Sequence, residues 1–471
     1  MSTAPTIAVV GHANTGKTSI LQTLLRQRGF GETSPTSGTT RRVEDAEIRD
    51  RDAVTARVLD TPGIEDAIGL RDAIEAREED RRLDGRTRLD RFMASASGGE
   101  EFTPELAALR AAMDADVLLY AIDARDEPQP RHLDELAVLA MTAHPVIPVL
   151  NFVARPEADV ARWREACARQ GLHATVSFDA VVFDDEGEHR LLEAIRTLLP
   201  RSSDAIDAWM RLRSEQRAHA IHLASGDAAD LLVSAAAAVA VTEPTNDDRE
   251  KAVARATDAL LERVQDEEAR TRRRICERFG FSGETAEATA IEVAEALGGV
   301  ELLSQASLER AGLWAAGTST GLVAAGAMVD LVLGGISLGG FTALGAVGAA
   351  LGAVGASGSK IIRRLRGQDE VRLGDAAIEL LAKRQVATIH ALLARGHAAI
   401  DPIDIDEAAT GSLKAFDATE IRSMLKKARD RAAWSTLSAP RGSMSGLAAP
   451  ARVALSDDVA GLISAEVGRQ H

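Results

Sequence analysis

Cysteine is nearly absent from this sequence: Cys167 and Cys276 are the only two. Two thiols cannot build a disulfide framework, and neither stands in a metal-type cluster, so a reducing cytosol is the expected compartment. Positive charge is also in deficit. Lys and Arg number 55 against 71 Asp and Glu, a formal net charge of −16 at pH 7. That balance argues against broad binding to duplex nucleic acid or anionic lipid and leaves only locally basic stretches for either. The N-terminus "MSTAPTIAVVGH" has neither the charged start nor the long apolar centre of a signal peptide, so the N-terminal end is expected in the cytoplasm. No internal repeat is evident, and no Ser–His–Asp or paired-carboxylate arrangement follows from residue order. His219 and His222 lie three apart on one helix, and His390 and His397 seven apart on another. No Cys or carboxylate set completes a metal site around them, so they read as ordinary helix residues. The run "RTRRRICERFG" follows the acidic "QDEEA" and reads as a solvated helix face.

What is present describes a folded protein. Hydrophobic residues make up 45% and charged residues 27% of 471, enough for two or three domains with a core in each. Residues 1–200 alternate helical stretches with the strand-like runs "TIAVV", "VTARVLD", "DVLLYAID", "PVIPVLNFV" and "HATVSFDAVVF". That rhythm predicts a mostly parallel sheet with helices on both faces. Beyond about residue 203 strands vanish, and Ala-, Glu- and Arg-rich segments of helical period such as "REKAVARATDALLERVQDEEARTRRRICERFG" predict an all-α part. Breaks between its helices are expected at "TEPTNDD" (242–248) and "GFSGET" (280–285). It divides into 201–310, a segment 311–359 and a C-terminal region 360–471.

The segment 311–359 has Asp330 as its only charge and is followed by the basic "KIIRRLRG" (360–367). Each arm around Asp330 approaches the roughly 20 residues that cross a bilayer as a helix. Small residues recur four apart at Gly317 and Gly321, Gly335 and Gly339, and Gly348 and Gly352, a spacing that lets helices approach closely. The segment reads as a Gly/Ala-rich hydrophobic helical hairpin able to enter the inner face of the cell membrane. The alternative is a tightly packed helical pair in a soluble core, since glycine weakens an isolated helix by about 1 kcal/mol relative to alanine.

"GHANTGKT" (Gly11–Thr18) follows "TIAVV" and precedes the helical "TSILQTLLRQRG". The pattern G-x-x-x-x-G-K-[ST], fed by a strand and left by a helix, places converging backbone N–H groups and a helix N-terminus at a phosphate. Lys17 would reach the β- and γ-phosphates, and the Thr18 hydroxyl would reach Mg²⁺. "SGTTRR" (37–42) and "VLDTPG" (58–63) come next. An aspartate at a strand end suits an Mg²⁺-bound water, a following glycine N–H suits a γ-phosphate, and a loop threonine between them can complete the metal's ligands.

With these parts in this order, residues 5–180 resemble the Era/TrmE-like branch of translation-factor-class GTPases. The resemblance implies an α/β P-loop NTPase fold, GTP and GDP as ligands, and Mg²⁺ as cofactor. By it, Gly11, His12, Ala13, Asn14, Thr15, Gly16, Lys17 and Thr18, with Ser19, form the phosphate loop. Thr40, in preference to Thr39, is the switch I metal ligand, and Asp60, Thr61, Pro62 and Gly63 open switch II. Thr18, Thr40 and Asp60 would then hold Mg²⁺, with Lys17, Thr40 and Gly63 acting in catalysis. Ile64 stands where Ras-like enzymes carry a water-positioning glutamine. Asn14 stands where potassium-dependent members carry a K⁺-ligating asparagine, and the Ala13 methyl would crowd an arginine finger. Hydrolysis is therefore expected to be slow unaided and to be helped by K⁺, self-association or a partner.

The guanine-reading motif departs from the family pattern. After "VIPVL" comes "NFVARPEAD", in which Asn151 fits, Phe152 replaces the lysine, Ala154 replaces the aspartate, and Asp159 lies eight positions on from Asn151. Phe152 would pack on the base in place of a lysine stem. The later base loop is represented by "SFD" from Ser177. GTP is expected through the resemblance, with ATP or another purine nucleotide left open. Between Gly63 and "ADVLLYAID" lies an insertion at about 65–114, read either as helical decoration or as a partner-binding arm. "VVGHANTGKTS", "GFGETSPTSGTTR", "DTPGIEDAIGL" and "PVLNFV" also look like a bacterial family in which an Era-like GTPase domain precedes a helical region of unknown function. The expected work is a nucleotide switch coupled to a membrane or partner. The alternatives are nucleotide-driven assembly of a membrane-remodelling scaffold and, disfavoured by the acidic balance, ribosome or RNA assembly.

Overall fold

The computed structural model describes residues 3–27, 30, 43–76, 82–95, 102–241, 249–281, 362–365, 368–399, 403, 418–438 and 447–469. They fall into two compact units: Met1–Gln216 with Ala394–Ile400, and Arg217–Leu393 with Asp401–His471. The segment 311–359 lies outside the described residues, as do Thr39 and Thr40.

The first unit is built on a six-stranded sheet of order β2-β3-β1-β4-β5-β6. Its strands are β1 (Thr6–Val10), β2 (Glu44–Asp50), β3 (Ala53–Asp60), β4 (Val117–Asp123), β5 (Val146–Asn151) and β6 (Val176–Ser177). Five run parallel, and β2 pairs antiparallel with β3 at the edge. Central β4, "VLLYAID", is buried along its whole length, which is why it reads as a continuous apolar run rather than an alternating one. Side chains of alternate strand positions feed two cores on opposite faces. Ile7, Val9, Leu119 and Val149 meet α1 (Lys17–Leu25) and α7 (Asp185–Leu198) through Leu21, Leu24 and Leu191. Ala8, Val10, Leu118 and Tyr120 lie in the other core.

The insertion folds as α2 (Ala67–Glu75), α3 (Gly85–Ser95) and α4 (Thr103–Asp114). Leu70, Ile74, Leu89 and Leu109 are buried in the same core as α5 (Pro130–Ala140), so the insertion is packed structure as well as surface. The domain continues through α6 (Val160–Arg169) and α7, and α8 (Ser203–Ala237) leaves it.

Three local expectations are corrected. Strand β2, "EDAEIRD", was not expected, because only Ile48 is buried and the acidic alternation hides an edge strand. "HATVSFDAVVF" yields a strand of only Val176–Ser177, and the rest is loop. Strands also do not vanish after residue 203: β7 (Ala240–Val241), β8 (Ile362–Leu365) and β9 (Gln368–Val371) form a small antiparallel sheet in the second unit, and the basic run supplies β8. The rest of that unit is helical, with α9 (Arg249–Arg278), α10 (Asp375–Leu393), α11 (Thr419–Leu425) and α12 (Pro450–Arg469). Because α10 ends at Leu393, His397 does not share a helix with His390. Among the described residues no helix is long and apolar enough to cross a membrane, and no His/Cys/Asp/Glu group could hold a metal ion by itself.

Candidate functional site

The C-terminal ends of β1, β3, β4 and β5 converge on the loop Gly11–Gly16, the edge at which open α/β sheets bind ligands. The loop's shape depends on residues that tolerate positive φ. Asn14 stands at 64° and Gly16 at 82°. A Cβ at Gly16 would lie 2.3 Å from Asn151 Nδ2 and 3.1 Å from Phe152 Cζ, so no larger residue fits there. Lys17 folds back over the loop, its Nζ donating to the carbonyls of Gly11 (3.2 Å) and His12 (2.7 Å). Burial lowers its pKa to about 8, opposed by the charges of Asp60, Glu135 and Glu65. The exposed Asn14 lies on the loop between these residues.

Thr18 Oγ1 donates to Asp60 Oδ2 at 2.6 Å. Asp60 is fully buried at the end of β3, and its Oδ1 has no hydrogen-bond partner among the described residues. Burial raises its carboxyl pKa to about 6, against the Thr18 bond and the Lys17 charge, which favour the ionised form. A hydroxyl and a buried, under-satisfied carboxylate oxygen are hard oxygen donors of the type Mg²⁺ takes. The pair fits that ion, with Thr40 outside the described residues.

The DTPG turn, expected to open switch II, is under restraint from two sides. Thr61 Oγ1 donates to the Val9 carbonyl (2.8 Å), and a Cβ at Gly63 would lie 2.8 Å from the Ala13 nitrogen. Ile64 donates its N–H to the Gly11 carbonyl (3.1 Å), and its side chain is fully buried. The Ile64 carbonyl accepts from His12 Nδ1 at 2.8 Å, and the same nitrogen lies 3.1 Å from Glu135 Oε1. Both neighbours are acceptors, so Nδ1 carries the proton. Tyr120 Oη donates to Glu135 Oε2 (2.8 Å), and burial followed by the Glu135 charge raises the phenol's pKa well above its usual value. The His12 ring therefore ties the phosphate loop to the residue after the DTPG turn. From the insertion, the buried Glu105 accepts the N–H groups of Glu65 and Asp66, both at 3.2 Å.

On the base side, Asn151 is fully buried and its amide is engaged within the protein. Its Nδ2 donates to the Thr15 carbonyl (3.2 Å), and its Oδ1 accepts from Phe152 N–H and Ala180 N–H, both at 2.9 Å. Phe152, at φ 58°, lays its ring beside Gly16, with the Arg125 guanidinium 4.2 Å from the ring centroid. Asp123 holds Arg125 through both carboxylate oxygens (2.9 and 2.6 Å). Asp159 caps α6 by accepting from Arg162 N–H (2.9 Å), so its carboxylate is committed elsewhere. Ser177 lies on β6 beside Arg164 (3.4 Å), and it is the following residues, through Ala180, that reach Asn151. Asp179 accepts from the N–H groups of Ala154, Val181 and Val182 at 2.9–3.1 Å and so shapes this loop.

No motif marks His12 as a side-chain tether, or Glu135, Tyr120, Glu105 and Arg125; Asp179 ends the "SFD" run, which does not by itself indicate its loop-shaping bonds. The signal for Arg125 was the polar "DARD" ending an apolar strand. For Glu105 and Glu135 there was none, since charged residues on amphipathic helices are ordinary.

Residues 6–152 match the family model described as "50S ribosome-binding GTPase". Residues 164–450, more than half of the chain, match "Domain of unknown function (DUF3482)". These matches bear out a P-loop GTPase domain of α/β fold followed by a mainly helical region. No curated protein matches the chain. Among solved structures, Era from Aquifex aeolicus, bound to GDP and AlF4⁻, is 23% identical over 41% of this chain and 56% of its own, with a TM-score of 0.30. The chain thus spans little more than half of that protein's length. NFeoB from S. thermophilus, bound to GMPPNP, is 14% identical over 59% of this chain and 97% of its own, with a TM-score of 0.29.

Proposed function

The chain belongs to the family defined by the domain of unknown function DUF3482, here behind a GTPase domain, and on that premise we propose that it is a nucleotide switch that hydrolyses GTP to GDP and phosphate. The observation that carries this reading is the Thr18–Asp60 pair with its buried, under-satisfied Oδ1, set directly beside Lys17. Backbone N–H groups of the loop and the N-terminus of α1 bind the phosphates, and Lys17 leaves its carbonyl partners for the phosphate oxygens. Thr18, Asp60 and Thr40 would hold Mg²⁺, which would supply positive charge at the phosphates. Gly63 offers its N–H to the γ-phosphate, and Ile64, anchored in the core, leaves the attacking water to other groups. Asn14, exposed on the loop, is an oxygen donor suited to K⁺, whose charge there would take the place of an arginine finger. Closure of Thr40 and Gly63 on the γ-phosphate, and release after hydrolysis, change how the helical region meets a partner or, through 311–359, a membrane.

Displacement of a fluorescent guanine nucleotide from the purified full chain, with Mg²⁺ and K⁺ present, tests the reading. GTP is expected to compete, and phosphate release from GTP to follow. Absence of any nucleotide binding would overturn it.

A second reading, an NTPase of open base specificity, is favoured by the Ala154 replacement and by the commitment of Asp159 to α6. Equal competition by ATP would support that reading over a guanine-specific one.

A further inference from the structure

The loop Ala180–Phe183, which continues the "SFD" base loop, is completed by residues more than two hundred positions downstream. Gly396 donates its N–H to the Val181 carbonyl (2.9 Å), and Phe183 donates to the Ala394 carbonyl (3.0 Å), around an antiparallel bridge between Val182 and Arg395. Four further backbone groups of the loop are held by residues nearer in sequence. Ala180 N–H goes to Asn151, and the Ala180 carbonyl accepts from Thr23 Oγ1 of α1 (2.9 Å). The N–H groups of Val181 and Val182 go to Asp179. Ala398 packs against the core that contains Phe178 and Phe183. The fit at Gly396 leaves no room, because a Cβ there would stand 1.9 Å from the Ala180 carbonyl oxygen.

We propose that residues 394–396 are a positioning element of the nucleotide site, a clip that sets the base loop against Asn151 and so determines how tightly a purine base is held. The proposal rests on the nucleotide-binding reading above. Ala180 is the pivot. Its N–H donates to Asn151 and its carbonyl faces Gly396, so a displacement at Gly396 passes through one residue to the Asn151 side chain on the base side of the site. The clip follows Leu393, the last residue of α10, by one peptide bond, so a segment of the DUF3482 match forms part of the nucleotide domain.

Gly396→Ala in the full chain is the test, with GDP, GTP and base-free tripolyphosphate titrated against the same sample. GDP and GTP are expected to weaken by about tenfold each, near 1.4 kcal/mol, while tripolyphosphate, which meets only the phosphate loop, is unchanged. The ratio within one sample is independent of the folded fraction, so a merely structural role does not move it. Unchanged GDP binding, or an equal loss for tripolyphosphate, overturns the proposal. If the parent protein binds no nucleotide, it is the functional reading that fails.

Should Gly396→Ala not fold, Val182→Cys with Arg395→Cys serves instead. Opposed residues of an antiparallel bridge lie about 4.5–5.5 Å apart, within reach of a disulfide. Both native cysteines are buried. The oxidised form is expected to release GDP about tenfold more slowly than the reduced form, a ratio equivalent to about 1.4 kcal/mol. Equal rates overturn the clip.

Discussion

At the scale of single residues, two buried ionisable groups set the conditions under which the site works. Burial holds the Asp60 carboxyl up to about 6 and the Lys17 ammonium down to about 8. In the proposed mechanism, metal binding needs the carboxylate and phosphate binding needs the ammonium. Mg²⁺–nucleotide affinity is therefore expected to rise with pH through about 6 and to fall through about 8. Fluorescence titration between about pH 5 and 9 reads the profile, and a flat response would contradict the assignment. The same Asp60 shift carries a stability sign. Its folded value exceeds the ordinary 3.8, so its contribution is fully present below about 4 and is lost as pH rises through about 6. Lys17→Ala is expected to weaken GTP binding by about 100-fold, near 3 kcal/mol for a lost charge-assisted contact. Asn14→Ala should abolish stimulation of hydrolysis by K⁺ while sparing nucleotide binding, and equal stimulation in both proteins would remove K⁺ from the account.

Elements explain what the motifs could not. The insertion contributes Glu105 near the start of α4, and that carboxylate receives two N–H groups just after the DTPG turn, in the segment proposed as switch II. Truncation to alanine leaves them without this acceptor, at a cost of about 1–3 kcal/mol. Glu105→Ala is expected to lower kcat and to speed amide exchange at residues 65–66 without changing GDP affinity. Unaltered exchange there would show that switch II does not depend on the brace.

In the second unit, the helices α9 and α10 enclose a buried ionic group. Arg272 Nη1 lies 2.9 Å from Glu268 Oε1, and Arg384 Nη1 lies 3.7 Å from Oε2. Two buried guanidinium groups share this carboxylate, so Glu268→Gln should lower unfolding stability by about 3–5 kcal/mol, read by denaturant titration. A loss below about 1 kcal/mol, the range of a surface pair, would mean that the cluster is hydrated.

At the scale of the whole molecule, nucleotide chemistry belongs to the first unit, and the hydrophobic segment 311–359 falls within the DUF3482 match. If that segment enters a bilayer, the full chain is expected in the membrane fraction and a 311–359 deletion in the supernatant. Recovery of the intact protein from the supernatant would reject the hairpin as an anchor and leave a soluble partner for the switch.

The sequence by itself determined the phosphate loop, the DTPG turn and five of the six strands, β6 at shorter length, because each is a local requirement. A tight turn needs Gly16, the DTPG turn opens on Asp60 at a strand end, and a fully buried parallel strand needs an unbroken apolar run such as β4. It also showed that the guanine-reading aspartate is missing. Only the tertiary structure decided what stands around that gap, and the reason is distance along the chain. Arg125 stacks on Phe152, Glu135 reaches His12 across 123 positions, Glu105 braces switch II across 40, and Gly396 seats on a loop at Ala180. Such contacts leave no periodicity or spacing to read. They arise where separate elements end at the same edge of one sheet, and folding alone brings them there.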